Sequence, residues 1–89
     1  MASVRLDGLL GEFVPRRNVT VPAETVGGAL DRLEREYPRL AGKVRDETGR
    51  LRRFVKVFVN GSDVAGLRGL ATPLAAEDRV EILHSIQGG

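Results

Sequence analysis

The sequence contains no cysteine and only one histidine, His84. Without cysteine the chain has no disulfide bridges, thiolate metal sites, persulfides or cysteine nucleophiles. A single histidine argues against a histidine-based metal site or a Ser/His/Asp triad. A lone histidine near a strand end is more often structural or solvated than catalytic. The composition therefore predicts no metal site and no catalysis by side chains of this chain.

Aromatic residues and long apolar stretches are also scarce. There are three phenylalanines, one tyrosine and no tryptophan. No run approaches the roughly 18 apolar residues that a membrane span needs. The N-terminal stretch MASVRLDGLL lacks the basic start, long apolar stretch and cleavage site of a secretion signal. We therefore expect a soluble, cytoplasmic protein without a membrane partner, and 89 residues predict a single domain.

Positive charge is concentrated in one segment. Residues 39–53 hold six basic side chains against two acidic ones, whereas the whole chain has a net charge of +2. Such a segment is either a patch that steers an acidic partner or a nucleic acid, or a solvated loop whose arginines keep it off the core. Nucleic-acid binding usually comes with a higher domain charge and stacking aromatic side chains. The sequence therefore favours the solvated loop, and no nucleic-acid partner is expected.

Alternating apolar residues predict two strands near the N-terminus. Val4 and Leu6 alternate with charged side chains, a period of two that is typical of a half-buried strand. After a turn in GEFVPRR, Val19 and Val21 share one face of a second strand, which ends at Pro22. We expect the two strands to pair as a hairpin.

A helix is predicted after the hairpin. Apolar side chains recur at intervals of four, three and four residues, the spacing of one helix face. They are Val26, Leu30, Leu33 and Tyr37. Thr25 can cap the first turn with its hydroxyl, and Pro38 lacks the amide hydrogen that a continuing helix needs. Residues 39–53 show no clean period and are predicted to form a linking loop, with one helical turn over 40–44.

The stretch FVKVFVNG is the clearest strand in the sequence. Its valines at positions 55, 57 and 59 share one face, while Phe54 and Phe58 lie on the other. Asn60-Gly61 is a dipeptide that closes tight hairpins. A short strand in DVA and a last strand in RVEILH follow, with Leu83 on the outward face of the last strand.

The order strand, strand, helix, strand, short strand, strand defines the fold class. The helix must cover one face of the sheet to bury its apolar stripe, and the crossover after the hairpin should be right-handed. The predicted fold is therefore α+β: a ubiquitin-like β-grasp, with a mixed four- to five-stranded sheet packed on one main helix. We place the domain at residues 1–84 and a flexible C-terminal tail at 85–89, ending in Gly88 and Gly89.

The sequence resembles the ubiquitin-like sulfur carriers of the ThiS/MoaD type over essentially its whole length. The resemblance rests on FVKVFVNG, on LATPLAAEDRVEIL and on the terminal GG. Within that family the sequence is most similar to the CysO-like carriers that serve a cysteine synthase, through RRFVKVFVN, GLATPLA and DRVEIL. It departs from the family at His84, where most relatives have the proline of a P-x-x-x-GG ending.

The resemblance implies a protein that is not itself an enzyme. An ATP-dependent E1-like adenylyltransferase and sulfurtransferase would adenylate the Gly89 carboxylate and convert it to a thiocarboxylate. A sulfur-accepting biosynthetic enzyme would then receive the sulfur. The chain would bind no cofactor, because ATP and magnesium are used by the activating partner. Gly88 and Gly89 would let the extended backbone enter a channel too narrow for side chains.

A docking surface is also expected. Phe54, Phe58 and Leu83 would stand on the sheet face opposite the helix, with Ile86 following on the tail and Arg53 placed to steer an acidic partner. The alternative is that another part of the chain or a second copy covers these residues.

Two other functions stay open at this point. One is a ubiquitin-like binding module without covalent chemistry, and the other is a small basic nucleic-acid-binding domain. The acceptor pathway is also open among cysteine, cofactor, tRNA and secondary-metabolite synthesis, since one fold serves many functions.

Overall fold

The protein folds as one mixed sheet with a single α-helix packed on its inner face. The computed structural model describes residues 1–84. Its elements are β1 (Ala2–Gly8), β2 (Asn18–Val21), α1 (Val26–Glu36), β3 (Val55–Val59), β4 (Ser62–Asp63) and β5 (Arg79–His84). The strand order is β2-β1-β5-β3-β4, in which β1 pairs parallel with β5 and the other neighbours pair antiparallel. The predicted β-grasp is confirmed.

Both predicted ends of α1 are observed. The Oγ1 atom of Thr25 accepts a hydrogen bond from the N–H of Gly28 at 3.0 Å, which satisfies one of the free amides of the first turn. At the other end the N–H of Tyr37 donates to the carbonyl of Leu33, and a short 3-10 turn begins at Pro38. Tyr37 therefore lies just beyond the helix, where its half-buried ring packs against the edge of the core.

The core fills the space between α1 and the inner face of the sheet. The strands contribute alternate residues, so their apolar side chains form one continuous buried surface. The fully buried members from the sheet are Val4, Leu6, Val21, Val57, Val80 and Ile82, and those from the helix are Val26, Ala29, Leu30 and Leu33. The period-two and helical spacings in the sequence therefore predicted the inward-facing residues correctly.

The segment 39–53 is packed against the body, which corrects the prediction of a solvated loop. Leu40 and Val44 are about 1% exposed and belong to the core. Arg45, whose side chain is 15% exposed, forms ion pairs with Glu34 at 2.8 Å and with Asp31 at 2.6 Å on α1. Its hydrogen bond to Glu34 is the main reason why the pKa of the guanidinium is raised above its ordinary value. This arginine ties the segment to the helix.

Two element boundaries also differ from the prediction. Strand β3 begins at Val55, so Phe54 lies in the preceding turn. The short strand predicted in DVA is Ser62–Asp63, because the Asp63 carboxylate accepts the N–H of Ala65 and a 3-10 turn follows. Within residues 1–84 no helix is long and apolar enough to cross a membrane.

Candidate functional site

The chain reaches its C-terminal tail from the middle of the sheet. Strand β5 lies between β1 and β3, and its last residue, His84, is in register with Gly8 on one side and Val55 on the other. Because both edges of β5 are hydrogen-bonded, the tail starts from a fixed position in the molecule.

A glycine is required next to this position. Gly8 has a φ of 65°, and a Cβ atom placed on it would lie 2.6 Å from the carbonyl oxygen of His84. Real Cβ atoms essentially never approach another heavy atom closer than 3.0 Å. Any other residue would therefore have to displace the end of β5.

The residues predicted to carry the chemistry lie outside the described part of the chain. Gly88 and Gly89, and the predicted contact residue Ile86, all belong to residues 85–89. The predicted boundary between a domain at 1–84 and a tail at 85–89 likewise stays a prediction.

The sheet face that turns away from α1 is mostly charged. Arg5 forms an ion pair with Asp7 at 2.8 Å on β1. On β3, Phe58 is directly opposite Glu81 of one neighbouring strand and Asp63 of the other. The apolar side chains on this face are thus surrounded by charge.

The predicted docking residues are only partly brought together. Phe58 is half-buried and Leu83 is 38% exposed, and the register makes them diagonal neighbours on the outer face. Lys56 lies directly opposite Leu83. Phe54 lies outside the strand, and the guanidinium of Arg53 stands 5.6 Å from its ring centre. The apolar cluster is therefore smaller than the sequence suggested.

A second surface lies at the start of the tail and was not predicted. It is a groove of about 460 Å³, which we call the tail-root groove. Its lining comes from the turn after β1, the segment after α1, the residues before β3 and the end of β5. The lining residues are Leu9, Leu10, Glu12, Phe13, Gly42, Lys43, Arg52 and His84.

The tail-root groove combines an aromatic ring with unpaired cations. The Nζ atom of Lys43 lies 5.3 Å from the ring centre of Phe13, and the guanidinium carbon of Arg39 lies 5.5 Å from it. Arg52 donates a hydrogen bond from Nε to the carbonyl of Gly42. Within residues 1–84 none of the three cations has a carboxylate partner within 4.0 Å. The groove is therefore positively charged.

No local signal in the sequence identifies this groove. Phe13, Lys43, Arg52 and His84 come from four separate segments, and only the fold brings them together. The spacing of four residues between Arg39 and Lys43 indicates only that these two side chains lie on one side of a helical turn, and it does not indicate a groove.

His84 has one unusual feature. Its Nδ1 atom is shielded from solvent and has no hydrogen-bond partner among the described residues. A buried polar atom without a partner costs about 1–3 kcal/mol. Within residues 1–84 no group of three or more His, Asp or Glu side chains could hold a metal ion.

Comparison with known proteins identifies the family. The sequence model of the ThiS family matches residues 8–89. The chain belongs to the ThiS family. The sulfur carrier protein CysO of Mycobacterium tuberculosis is 36% identical over 76 residues, which cover 83% of this chain and 82% of the relative.

Two further relatives extend the family placement. Small archaeal modifier protein 3 of Haloferax volcanii is 40% identical over 65 residues, covering 73% of this chain and 70% of that protein. The crystal structure of the BexX/CysO complex of Amycolatopsis orientalis contains a chain that superposes with a TM-score of 0.88 at 26% identity and covers 100% of both chains. The predicted resemblance to ThiS/MoaD-type, CysO-like carriers is confirmed.

Family membership also decides the class of protein. The relatives are named as carriers and modifiers, which are small protein co-substrates rather than catalysts. The chain is accordingly a carrier-type β-grasp protein and not an enzyme.

Proposed function

We propose that the chain is a sulfur carrier whose reactive group is the Gly89 carboxylate. An E1-like enzyme adenylates this carboxylate, and a sulfur donor then converts it to a thiocarboxylate that supplies sulfur to a biosynthetic enzyme. The observation that carries the proposal is the family match through the final glycine, on a β-grasp body whose central strand leads into the tail.

The chemistry suits a terminal carboxylate. An α-carboxyl group has a pKa of about 3.5, so it is ionised at neutral pH and can attack the α-phosphate of ATP. Pyrophosphate leaves, and the product is a mixed anhydride between the carboxyl group and AMP. The sulfur of a sulfide ion then attacks the carbonyl carbon, and AMP leaves with one of the two carboxyl oxygens, so that a thiocarboxylate remains. ATP and magnesium belong to the activating partner, so this chain supplies only the reactive end.

The outer face of the sheet is the proposed contact for partner enzymes. Phe58 and Leu83 give it an apolar centre, and the charged side chains around them form a polar rim, as in many protein interfaces. Arg53 and Phe54 extend this surface at the start of β3, and Ile86 extends it into the tail. A partner bound here would hold the tail at its origin.

The relatives suggest the acceptor. Similarity to proteins named sulfur carrier protein CysO, and to a chain in the BexX/CysO complex, supports a partner enzyme that accepts the sulfur. Cysteine synthesis is the first candidate, because the sequence resembles the CysO-like carriers that serve a cysteine synthase and is 36% identical to CysO of Mycobacterium tuberculosis.

A protein-modifier role is the second candidate. It is favoured by the 40% identity to small archaeal modifier protein 3. The same activated carboxyl group would then react with an amine of a target protein instead of with sulfur.

The experiment is a loading assay followed by intact mass measurement. The chain is incubated with the E1-like enzyme encoded in the same genome, ATP, magnesium and a sulfide donor. Replacement of one oxygen by sulfur is expected, and fragmentation should place it on Gly89. Adducts on other proteins in the mixture would instead favour the modifier role.

An alanine added after Gly89 is expected to abolish loading, because the reactive carboxylate then belongs to a residue with a Cβ atom and lies one residue too far along the channel. The control carries the same extra alanine ahead of Met1, which is 63% exposed, and should be loaded like the unmodified chain. No mass change with an enzyme that loads another carrier would refute the proposed function, as would normal loading of the extended tail.

A further inference from the structure

We infer that the tail-root groove is a docking site for an acidic segment of the partner protein that receives the tail. The segment would carry carboxylates for the cations of the groove and an aliphatic side chain for its apolar wall. This inference rests on the proposed function, since it concerns how a partner holds the carrier while the tail reacts.

The charge of the groove is the first observation. Elsewhere, ion pairs neutralise several cations: Arg5 with Asp7, Arg32 with Glu36, and Arg45 with the carboxylates of α1. The groove holds Lys43 and Arg52, has Arg39 at its edge, and offers them only Glu12, which forms no ion pair within residues 1–84. A carboxylate beside one of these cations is attracted more strongly where solvent is partly excluded than in open water.

The apolar wall is the second observation. Leu9 is 40% exposed and lines the groove together with Leu10, which is buried. The ring of Phe13 is a further apolar part of the lining. An aliphatic side chain that covers this wall removes apolar surface from water, worth about 25 cal/mol for each Å².

The same geometry disfavours a nucleic acid. Bases bind single-stranded nucleic-acid-binding proteins by stacking on free aromatic faces. Here Arg39 and Lys43 already lie over the Phe13 ring. In addition, Arg45, which lies in the middle of the basic segment, is neutralised on α1, so the segment does not form an extended cationic track.

The position of the groove identifies which partner would use it. His84 lines the groove and is also the last residue of β5. The five residues beyond it span at most roughly 17 Å, so a protein seated in the groove is within reach of Gly89. Leu83 lies on the outer face, on the opposite side of the same strand end from the inward-facing Ile82. A partner that contacts both surfaces would hold the root of the tail from two sides.

The first test uses a defined peptide and no enzyme. The chain labelled with ¹⁵N is titrated with acetyl-Asp-Leu-Glu-Leu-amide, and acetyl-Asn-Leu-Gln-Leu-amide is the neutral control. Saturable shifts are expected at the amides of Leu9–Phe13, Gly42, Lys43 and Arg52, and they should weaken at high salt. No saturable shift, or equal binding of the neutral peptide, would overturn the inference.

Charge reversal provides the matched variants. Lys43→Glu replaces an attraction to the acidic peptide by a repulsion and should lower the affinity for that peptide about tenfold. Arg68→Glu changes the same charge at another exposed loop position and should leave binding unchanged. Both side chains are exposed, so the unfolding midpoint should stay close to that of the parent chain. Equal affinities for the two variants would contradict the inference, and Arg39→Glu repeats the test at a second cation.

The second test uses the loading reaction. Lys43→Glu should raise the KM of the E1-like enzyme for the carrier at low salt and leave kcat unchanged, because the groove contributes to binding and not to the chemical step. Equal KM values for Lys43→Glu and Arg68→Glu, in a reaction that loads the parent chain, would overturn the inference while the proposed function survives. Conversely, specific binding of the acidic peptide by a chain that the E1-like enzyme never loads would support the inference about the groove and refute the proposed function.

Discussion

At the scale of single residues, Gly8 shows how closely the end of β5 is fitted to its neighbour. Both the positive φ and the 2.6 Å approach to the His84 carbonyl exclude a side chain there. Gly49 shares the positive φ, at 87°, but nothing lies within 4 Å of the position its Cβ would take. A comparison of substitutions at the two glycines therefore distinguishes the cost of backbone strain, which both incur, from the cost of steric contact, which only Gly8 incurs.

Gly8→Ala is expected to destabilise the protein more than Gly49→Ala. A non-glycine residue in the left-handed region costs about 1–2 kcal/mol, and both variants incur that cost. Only Gly8→Ala adds overpacking, worth about 1–3 kcal/mol more. Urea denaturation measures both free energies of unfolding. Equal losses would mean that β5 shifts freely at His84 and that the root of the tail is not fixed.

Much at this scale could not be predicted from the sequence. The pattern around Gly8 gives no sign that His84 lies beside it, because the two residues are brought together by a parallel pairing across the whole chain. Phe54 continues the alternation of FVKVFVNG, yet the strand begins one residue later. Local alternation fixes which face a residue takes inside a strand but not where the pairing stops.

At the scale of elements, a hydrogen-bonded clasp joins the turn after β3 to the start of β5. Asn60 and Gly61 take the positive φ values of 50° and 89° that a tight hairpin turn needs. The Nδ2 atom of Asn60 donates to Asp78 at 3.0 Å, and its Oδ1 atom accepts the N–H of Arg79 at 2.9 Å. Asp78 also accepts the N–H of Ala75 at 2.7 Å. The Asp78 carboxylate therefore holds the residues that lead into β5 against the turn after β3.

This clasp makes stability depend on acid pH. The backbone N–H of Ala75, and then the amide of Asn60, lower the pKa of Asp78 below its ordinary value of 3.8. A carboxyl group with a lowered pKa in the folded state stabilises that state above pH 3.8, and the contribution is lost as the pH falls through the folded value. Asp46 behaves in the same way, chiefly because the hydroxyl of Thr48 donates to it.

We expect the free energy of unfolding to fall as the pH drops below about 4, and Asp78→Asn to make that fall shallower. Glu77→Gln removes the neighbouring exposed carboxylate, which accepts no hydrogen bond from residues 1–84, and should keep the slope of the parent chain. Urea midpoints between pH 7 and acid pH give the three curves. An unchanged slope in Asp78→Asn would show that the clasp does not control the acid response.

The sequence predicted the elements better than their connections. The helix was recognisable because its stripe and its capping residues are all local, and β1, β3 and β5 were recognisable from alternation. The segment 39–53 was misread because its packing depends on distant partners: Arg45 is held by α1, and Leu40 and Val44 reach the core. A sequence window around these residues contains only charge and turn signals.

At the scale of the whole molecule, the sheet has a buried inner face and an outer face that is the proposed contact for partner enzymes. Val57 and Phe58 are neighbours on β3, but Val57 is fully buried against the core and Phe58 is half-buried on the outer face. The same strand thus contributes to the core through one residue and, in the proposed function, to partner binding through the next. The cross-strand neighbours of Phe58, Glu81 and Asp63, are both acidic.

We expect Phe58→Lys to weaken binding of the E1-like enzyme while the chain stays folded, because the new ammonium group stands between two carboxylates. Val57→Lys buries an unpaired charge and should unfold the domain. Circular dichroism and thermal melting distinguish the two variants before binding is measured. An unfolded Phe58→Lys would place Phe58 in the core, and a folded variant with unchanged binding would remove the outer face from the docking surface.

The placement of β5 has a mechanical consequence for the proposed function, in which enzymes bind the chain by its C-terminal end. Tension applied along the tail is directed along β5, which is bonded over its length to a parallel neighbour and to an antiparallel one. Such a load stretches many hydrogen bonds simultaneously, whereas a strand at the margin of a sheet could be peeled away one bond after another. An enzyme that pulls on the terminus, as the proposed function requires, would therefore have to break many of these hydrogen bonds together before the body unravelled.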